Sequence, residues 1–136
     1  MESLKGRVVL LAGATGGVGS QVAKQLSASG AIVYITGRDS QKLEEVASQA
    51  GIPASRTFQM DITSETSVNQ VVSQVLAQTP FIHTLINATG IGIIKTMDTL
   101  DSASFEKVLQ VNLIGAFYLV KAVLPNLKEQ KKGLLS

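Results

Sequence analysis

The sequence has no cysteine. Disulfides, thiolate nucleophiles and cysteine-ligated zinc or iron–sulfur centres are therefore excluded, and a reducing compartment fits. Charge is sparse as well: 16% of residues are Asp, Glu, Lys or Arg, and the net charge is +2. The basic residues are scattered. Their one local group, Lys128, Lys131 and Lys132, is expected at a helix C-terminus, where cations oppose the dipole, so nucleic acid is not an expected partner. Long apolar runs are also lacking. The N-terminal Met-Glu-Ser-Leu-Lys-Gly-Arg has no signal-peptide pattern, and the run from Val8 to Ala12 stops at Gly13. No segment reaches the roughly 18 apolar residues of a membrane span. The expectation is a cytoplasmic protein with no membrane partner.

What is present is an apolar share of 45% over 136 residues, which suits one domain, residues 1–136, with a real core and argues against disorder. No linker, low-complexity tract or internal repeat divides it. Short β-branched runs alternate with stretches of helical spacing. Strands are expected at about Arg7 to Ala12, Ala31 to Thr36, Arg56 to Met60 and Phe81 to Asn87. The first helix is expected from Gly17 to about Ser29, with Val18, Val22, Ala23 and Leu26 on one face and Gly30 as its stop. A second runs from the N-cap Asp39 to Gly51, and a third from about Ser64 to Gln78. A long helix from about Ser102 carries the stripe Phe105, Val108, Leu109, Ala116, Val120 and Leu127, and Pro125 is expected to kink or end it. Lys132 to Ser136 reads as at most the start of a fifth strand. Four strands alternating with helices imply an α/β fold: a doubly wound, Rossmann-like parallel sheet of order 3-2-1-4. In such a sheet the ligand lies at the carboxyl ends of strands one and four, where the order reverses.

The stretch between the first strand and the first helix carries the chemistry. Gly13, Gly17 and Gly19 stand where a chain must turn off a strand, approach a phosphate without an intervening side chain, and pack a helix closely on the sheet. The helix that follows presents unpaired N–H groups and the positive end of its dipole to an anion. Glycines also make plain turns, and it is the buried strand before and the amphipathic helix after that favour a nucleotide cradle. At the end of the second strand the chain reads Thr36-Gly37-Arg38-Asp39. A carboxylate there would bond the adenosine ribose, whereas an arginine would pair with a 2′-phosphate. Arg38 favours NADP over NAD. Arg38 also admits a plain reading as a solvated loop residue, and Asp39 as a residue facing the ribose instead of a cap.

Ala12-Gly13-Ala14-Thr15-Gly16-Gly17-Val18-Gly19 resembles the cofactor loop of the short-chain dehydrogenase/reductase family, Thr-Gly-x-x-x-Gly-x-Gly, with Ala12 in place of the threonine. Asp61-Ile62 is similar to the family's aspartate-apolar pair beside the adenine ring. Asn87-Ala88-Thr89-Gly90 resembles its Asn-Asn-Ala-Gly motif in the first and last residues. Val111-Asn112-Leu113 is similar to the segment that bears the helix-borne catalytic asparagine. The resemblance implies a nicotinamide dinucleotide held by Gly13, Thr15, Gly16, Gly17, Val18, Gly19, Arg38, Asp61, Ile62, Asn87, Ala88 and Gly90, with Asn112 as catalytic residue and no metal. By spacing alone Asn112 points into the apolar stripe of its helix, where a buried amide needs partners. It bonds a neighbouring carbonyl there, or holds a water in a proton relay.

The resemblance spans the chain yet matches only the first half of the family's fold. Family members use a serine, and a tyrosine with a lysine four residues later. Here Tyr34 is followed at that spacing by Arg38 and Tyr118 by Ala122. Ser136 falls inside the expected fifth strand, and His83 sits early in the fourth, far from the carboxyl ends. The expectation is a cofactor-binding domain truncated before its catalytic serine and Tyr-x-x-x-Lys, which binds dinucleotide without turnover. The alternatives are a nucleotide-sensing or interaction module, pairing with a second copy or a complementing chain through an open sheet edge and the long helix, and a fragment of a longer enzyme.

Overall fold

Val8–Ala12 forms strand β1, and all five of its residues are buried. In this computed structural model, which describes residues 4–90 and 101–129, β1 lies between two parallel neighbours, β2 (Ile32–Gly37) and β4 (Thr84–Asn87). Strand β3 (Thr57–Gln59) pairs parallel with the outer side of β2. The order is β3-β2-β1-β4, as the alternation of elements requires. The expected fifth strand at 132–136 lies outside the described residues.

A strand buried on both faces sends alternate residues to two separate cores. Val9 and Leu11 pack under helices α1 (Gly17–Ala28) and α2 (Ser40–Ala50), with Ala23, Val33, Ile35, Leu43 and Val46. Val8, Leu10 and Ala12 face the other side, toward α3 (Glu65–Gln78) and α5 (Gly115–Glu129), with Val68, Val75, Leu119 and Val123, while α4 (Ser102–Leu109) adds no buried residue. Each fully buried Val or Leu contributes about 1.5–3 kcal/mol. The helix ends follow local chemistry. Asp39 caps α2 by accepting from Gln41 N (3.0 Å) and Lys42 N (3.2 Å), Gly51 closes it in the left-handed region, and Ser64 caps α3 by accepting from Ser67 N at 3.2 Å. Asp39 is therefore a cap.

Three expectations are corrected. Strand β4 starts at Thr84 and not at Phe81, because Ile82 N donates to Asn126 Oδ1 (3.0 Å) and Phe81 stays exposed. His83, just ahead of β4, is an anchor at the amino end: Val8 N donates to its Nδ1 (2.9 Å) and its own N donates to Val8 O (2.9 Å). Val18, assigned to the apolar face of α1, is 75% exposed. It lies a full turn before Val22, past the end of the sheet, and the inward position at that level belongs to Gly19.

The third correction concerns the long helix. It runs unbroken from Ser102 to Glu129, through Pro125, with a π-helical turn at Gln110–Ile114 between α4 and α5. The wider turn shifts the phase of the side chains. The inward line is Val111, Gly115, Leu119, Val123 and Leu127, so Phe105 (51%), Leu109 (39%) and Val120 (39%) face out. Asn112 is exposed, because Val111 takes the buried position beside it. The same helix modifies the membrane reading. Its most apolar 18-residue window has a mean hydropathy of 1.6 and is 22% buried, which makes it, among the described residues, the one helix long and apolar enough to cross a membrane. Gln110, Asn112 and Lys121 interrupt the apolar run without lowering its average far. The core helix of a protein outside a membrane passes the same test, and α5 places Leu119, Val123 and Leu127 in the core.

Candidate dinucleotide site

The carboxyl ends of β1, β2 and β4 open into a cleft of about 220 Å³. Its position follows from the strand order, since connections from β1 and β4 leave in opposite directions and part above the sheet. Gly13, Thr15 and Gly16 line it from the first loop, Thr36, Gly37 and Arg38 from β2, Met60 and Ile62 from the β3–α3 connection. Ala88, Thr89 and Gly90 close it after β4, and Val111 from the π turn.

The glycines divide by physical role. Gly13 has φ +80°, and its amide and that of Ala14 donate to Thr36 O (3.1 and 2.9 Å), turning the chain off β1. A Cβ on Gly13 would lie 2.6 Å from Thr89 N and 2.7 Å from Ala88 C. A Cβ on Gly19 would overlap the Gly13 carbonyl oxygen. Both positions are closed by the protein's own backbone. A Cβ on Gly17, in contrast, meets nothing within 4 Å, and one on Gly16 only Gly13 O at 4.0 Å. Their side-chain space is open, and no side chain caps the N-terminus of α1. An open shelf below unpaired N–H groups fits a pyrophosphate.

Asp61 and Ile62, adjacent in sequence, separate in space. Ile62 is buried and lines the cleft. Asp61 faces a second recess with Arg38, Gln59, Met60 and Ser67. Its Oδ1 accepts from Thr63 Oγ1 (2.6 Å) and Thr63 N (3.0 Å), and its own N–H donates to Ser67 Oγ (3.0 Å). The Thr63 hydroxyl, then the Thr63 amide, and to a lesser degree the Arg38 charge hold its carboxyl below the usual range, while burial opposes them. Arg38 borders both recesses and is exposed, and its carbonyl accepts from Gln59 Nε2 (2.9 Å).

Asn87 braces the loop after β4: its Oδ1 accepts from Thr89 N (3.0 Å) and from the Thr89 hydroxyl. It does not line the cleft, whereas Ala88 and Gly90 do. The carboxamide oxygen of Asn112 stands over Gly90, 3.5 Å from where a Cβ would be. Gly13, Thr15, Gly16, Arg38, Ile62, Ala88 and Gly90 thus share one cleft, with Gly17 on its rim. Gly19 lies against the Gly13 carbonyl, and Val18 is exposed. Missed from the sequence were Thr36, Met60, Thr89 and Val111. Of these, Thr36 carried a visible signal, a small hydroxyl side chain after the largely apolar run Ile32 to Ile35.

A four-stranded parallel sheet with a glycine loop at its switch point defines a dinucleotide-binding α/β protein. A sequence model of the family described as short chain dehydrogenase matches residues 7–135, and the chain belongs to that family. It is 35% identical to a fatty acyl-CoA reductase of Acinetobacter baylyi over 97% of its own length and 46% of the relative's. It is 31% identical to 3-oxoacyl-[acyl-carrier-protein] reductase FabG of Aquifex aeolicus, over 96% of its length and 54% of the relative's. Among solved structures, an NAD+-bound xylitol dehydrogenase superposes with a TM-score of 0.91 at 29% identity, covering 98% of this chain and 53% of that one. The chain spans about half the length of the curated relatives it matches.

Proposed function

We propose that the chain is the NADP(H)-binding half of an oxidoreductase of the carbonyl-reducing, alcohol-oxidising kind. The observation that carries this reading is the open Gly16–Gly17 shelf at the uncapped start of α1, with exposed Arg38 on the same cleft. The first-turn amides of α1 hold the pyrophosphate, Ile62 and Met60 wall the adenine, and Arg38 pairs with the 2′-phosphate. Asp39 is engaged with Gln41 N and Lys42 N, which leaves the end of β2 without a carboxylate turned to the ribose. When bound, the nicotinamide supplies or accepts hydride. Asn112, beside Gly90, holds a water at that end of the cleft. The test is equilibrium titration with NADPH and NADH. Tighter binding of NADPH, with the preference lost in Arg38→Ala, is expected; equal affinities that ignore the substitution refute the NADP assignment.

By itself the chain turns nothing over. Neither tyrosine has a lysine four residues on, and Tyr34 is buried against Phe58, with ring centroids 6.5 Å apart. Without a group to move the proton, a factor of about 10² to 10⁴ in rate is absent. The expected result is no NADPH oxidation with a panel of ketones and aldehydes. Carbonyl reduction that stays with the purified chain and disappears in Asn112→Ala overturns this.

A second reading, an interaction module, is favoured by the outward face of the long helix. Phe105, Leu109, Leu113 and Phe117 form an exposed line at spacings of four. Laid antiparallel against itself, the line matches Phe105 with Phe117 and Leu109 with Leu113, and sets Asp101 opposite Lys121. This self-complementarity favours a second copy over a separate chain that supplies the tyrosine and lysine. In sedimentation a dimer is expected, reduced to monomer by Leu113→Glu with NADPH affinity unchanged. A wild-type monomer removes this reading.

A further inference from the structure

We infer that the Thr36 hydroxyl is a ligand-binding group that hydrogen-bonds the adenosine portion of the dinucleotide, an inference that rests on the cofactor reading above. Thr36 is 1% exposed, and its Oγ1 has no hydrogen-bond partner among the described residues. A buried hydroxyl without a partner is a cost that folding does not require here, since valine has the same shape. Three of the four residues that precede it in β2, Ile32, Val33 and Ile35, are aliphatic.

The backbone holds this residue firmly in place. Thr36 pairs with Ala12 on one side and Phe58 on the other, and its carbonyl accepts both amides of the Gly13–Ala14 turn. Alternation puts its side chain on the face of Tyr34. Tyr34, two residues earlier, is covered by the core that contains Met60, Val111 and Leu119. Thr36, equally buried, stands in the cleft lining together with Gly13, Met60 and Ile62.

The strand order assigns the half of the ligand it meets. Thr36 lies on β2, on the β3 side of the phosphate loop, with Arg38 two residues on and Ile62 across the cleft. Gly90 and Asn112 lie on the opposite side, beyond β4. A dinucleotide whose pyrophosphate rests on the Gly16–Gly17 shelf and whose 2′-phosphate reaches Arg38 therefore sets its adenosine over Thr36. A hydroxyl both donates and accepts, so either a ring nitrogen or a ribose oxygen satisfies it.

The test is Thr36→Val, nearly isosteric, with Thr36→Ser as the conservative control, each titrated with NADPH and with 2′,5′-ADP. Because the substitution removes an unsatisfied buried group, the unliganded Thr36→Val protein is expected to melt higher, by about 4 °C. Its Kd for both probes is expected to rise about 5- to 10-fold, the loss of one hydrogen bond, while Thr36→Ser stays near wild type. Unchanged Kd values in Thr36→Val, or a lower melting temperature with unchanged Kd, overturn the inference. Weakened NADPH binding with unaltered 2′,5′-ADP binding overturns the assignment to adenosine. A wild-type chain that binds neither probe removes the cofactor reading and this inference with it.

Discussion

Gly13→Ala is expected to lower the unfolding free energy by about 3 kcal/mol, roughly a third of what a domain of ordinary stability possesses. Two costs combine. At φ +80° an L side chain sits in a region that costs about 1–3 kcal/mol. Its Cβ would also meet the amide of Thr89 and the carbonyl carbon of Ala88, backbone atoms of the loop after β4 that Asn87 Oδ1 braces. Overpacking of this kind adds about 1–3 kcal/mol. Urea unfolding followed by circular dichroism measures it, as a lower midpoint at unchanged slope. Gly17→Ala provides the contrast. Its Cβ enters open space at the first position of α1, and alanine favours helix over glycine by about 0.5–1 kcal/mol. Stability is expected to hold or rise while NADPH affinity falls at least about tenfold, a change of about 1.4 kcal/mol, because the methyl occupies the shelf proposed for the pyrophosphate. A destabilised Gly17→Ala protein with intact binding contradicts that placement.

Arg38→Ala is the second large effect, and it is selective. A guanidinium on a phosphate makes charge-assisted, bidentate bonds, each worth about 1.5–3 kcal/mol where water is partly excluded. Arg38 is exposed, which places the expected loss toward the lower end, about 30-fold in the Kd of NADPH. NADH, which has no phosphate at that place, is expected to change by less than about twofold, within the spread of such measurements. Added salt weakens NADPH binding to the wild type and leaves the variant nearly unaffected, since screening acts on the exposed pair alone. Arg38→Lys recovers part of the affinity, because an ammonium keeps the charge and loses the fork. Parallel losses for both cofactors contradict the role given to Arg38.

The elements that were legible beforehand are those whose cause is local. β1 and β2 are apolar runs bounded by Gly13 and Gly37, α2 is bracketed by Asp39 and Gly51, and α3 starts at the Ser64 cap. Strand order followed from connection lengths and handedness. Asp39 as a cap also held, and His83 lies at the amino end of the sheet, far from the carboxyl ends, through its bonds to Val8.

The differences along the long helix share one cause, which is phase. The inward face of the long helix was counted at a constant 3.6 residues per turn, and the π turn at Gln110–Ile114 breaks that count. Asn112 was placed inside and lies outside; Phe105, Leu109 and Val120 likewise. Val18 followed the period of α1 correctly, but the sheet it was meant to face does not extend that far. Asp61 and Asn87 fall at the expected places; Asp61 Oδ1 accepts from Thr63 and Asn87 Oδ1 from Thr89.

The order of elements, the position of the glycine loop at the switch point and the family all follow from the residues in sequence, because each depends on hydrophobic period, capping chemistry and chain direction. Which glycines are there for the fold and which leave room for a ligand is settled in three dimensions. Gly13 and Gly19 are forced by backbone that approaches from Ala88, Thr89 and from Gly13 itself, while Gly17 faces open space. The same holds for Thr36, which in the strand is one β-branched residue among several. Its hydroxyl is buried at the open end of the sheet, in the wall of a cleft that Met60, Ile62 and Val111 also line, brought there by the β3–α3 connection and the π turn. Long-range packing creates that environment, and no local pattern encodes it.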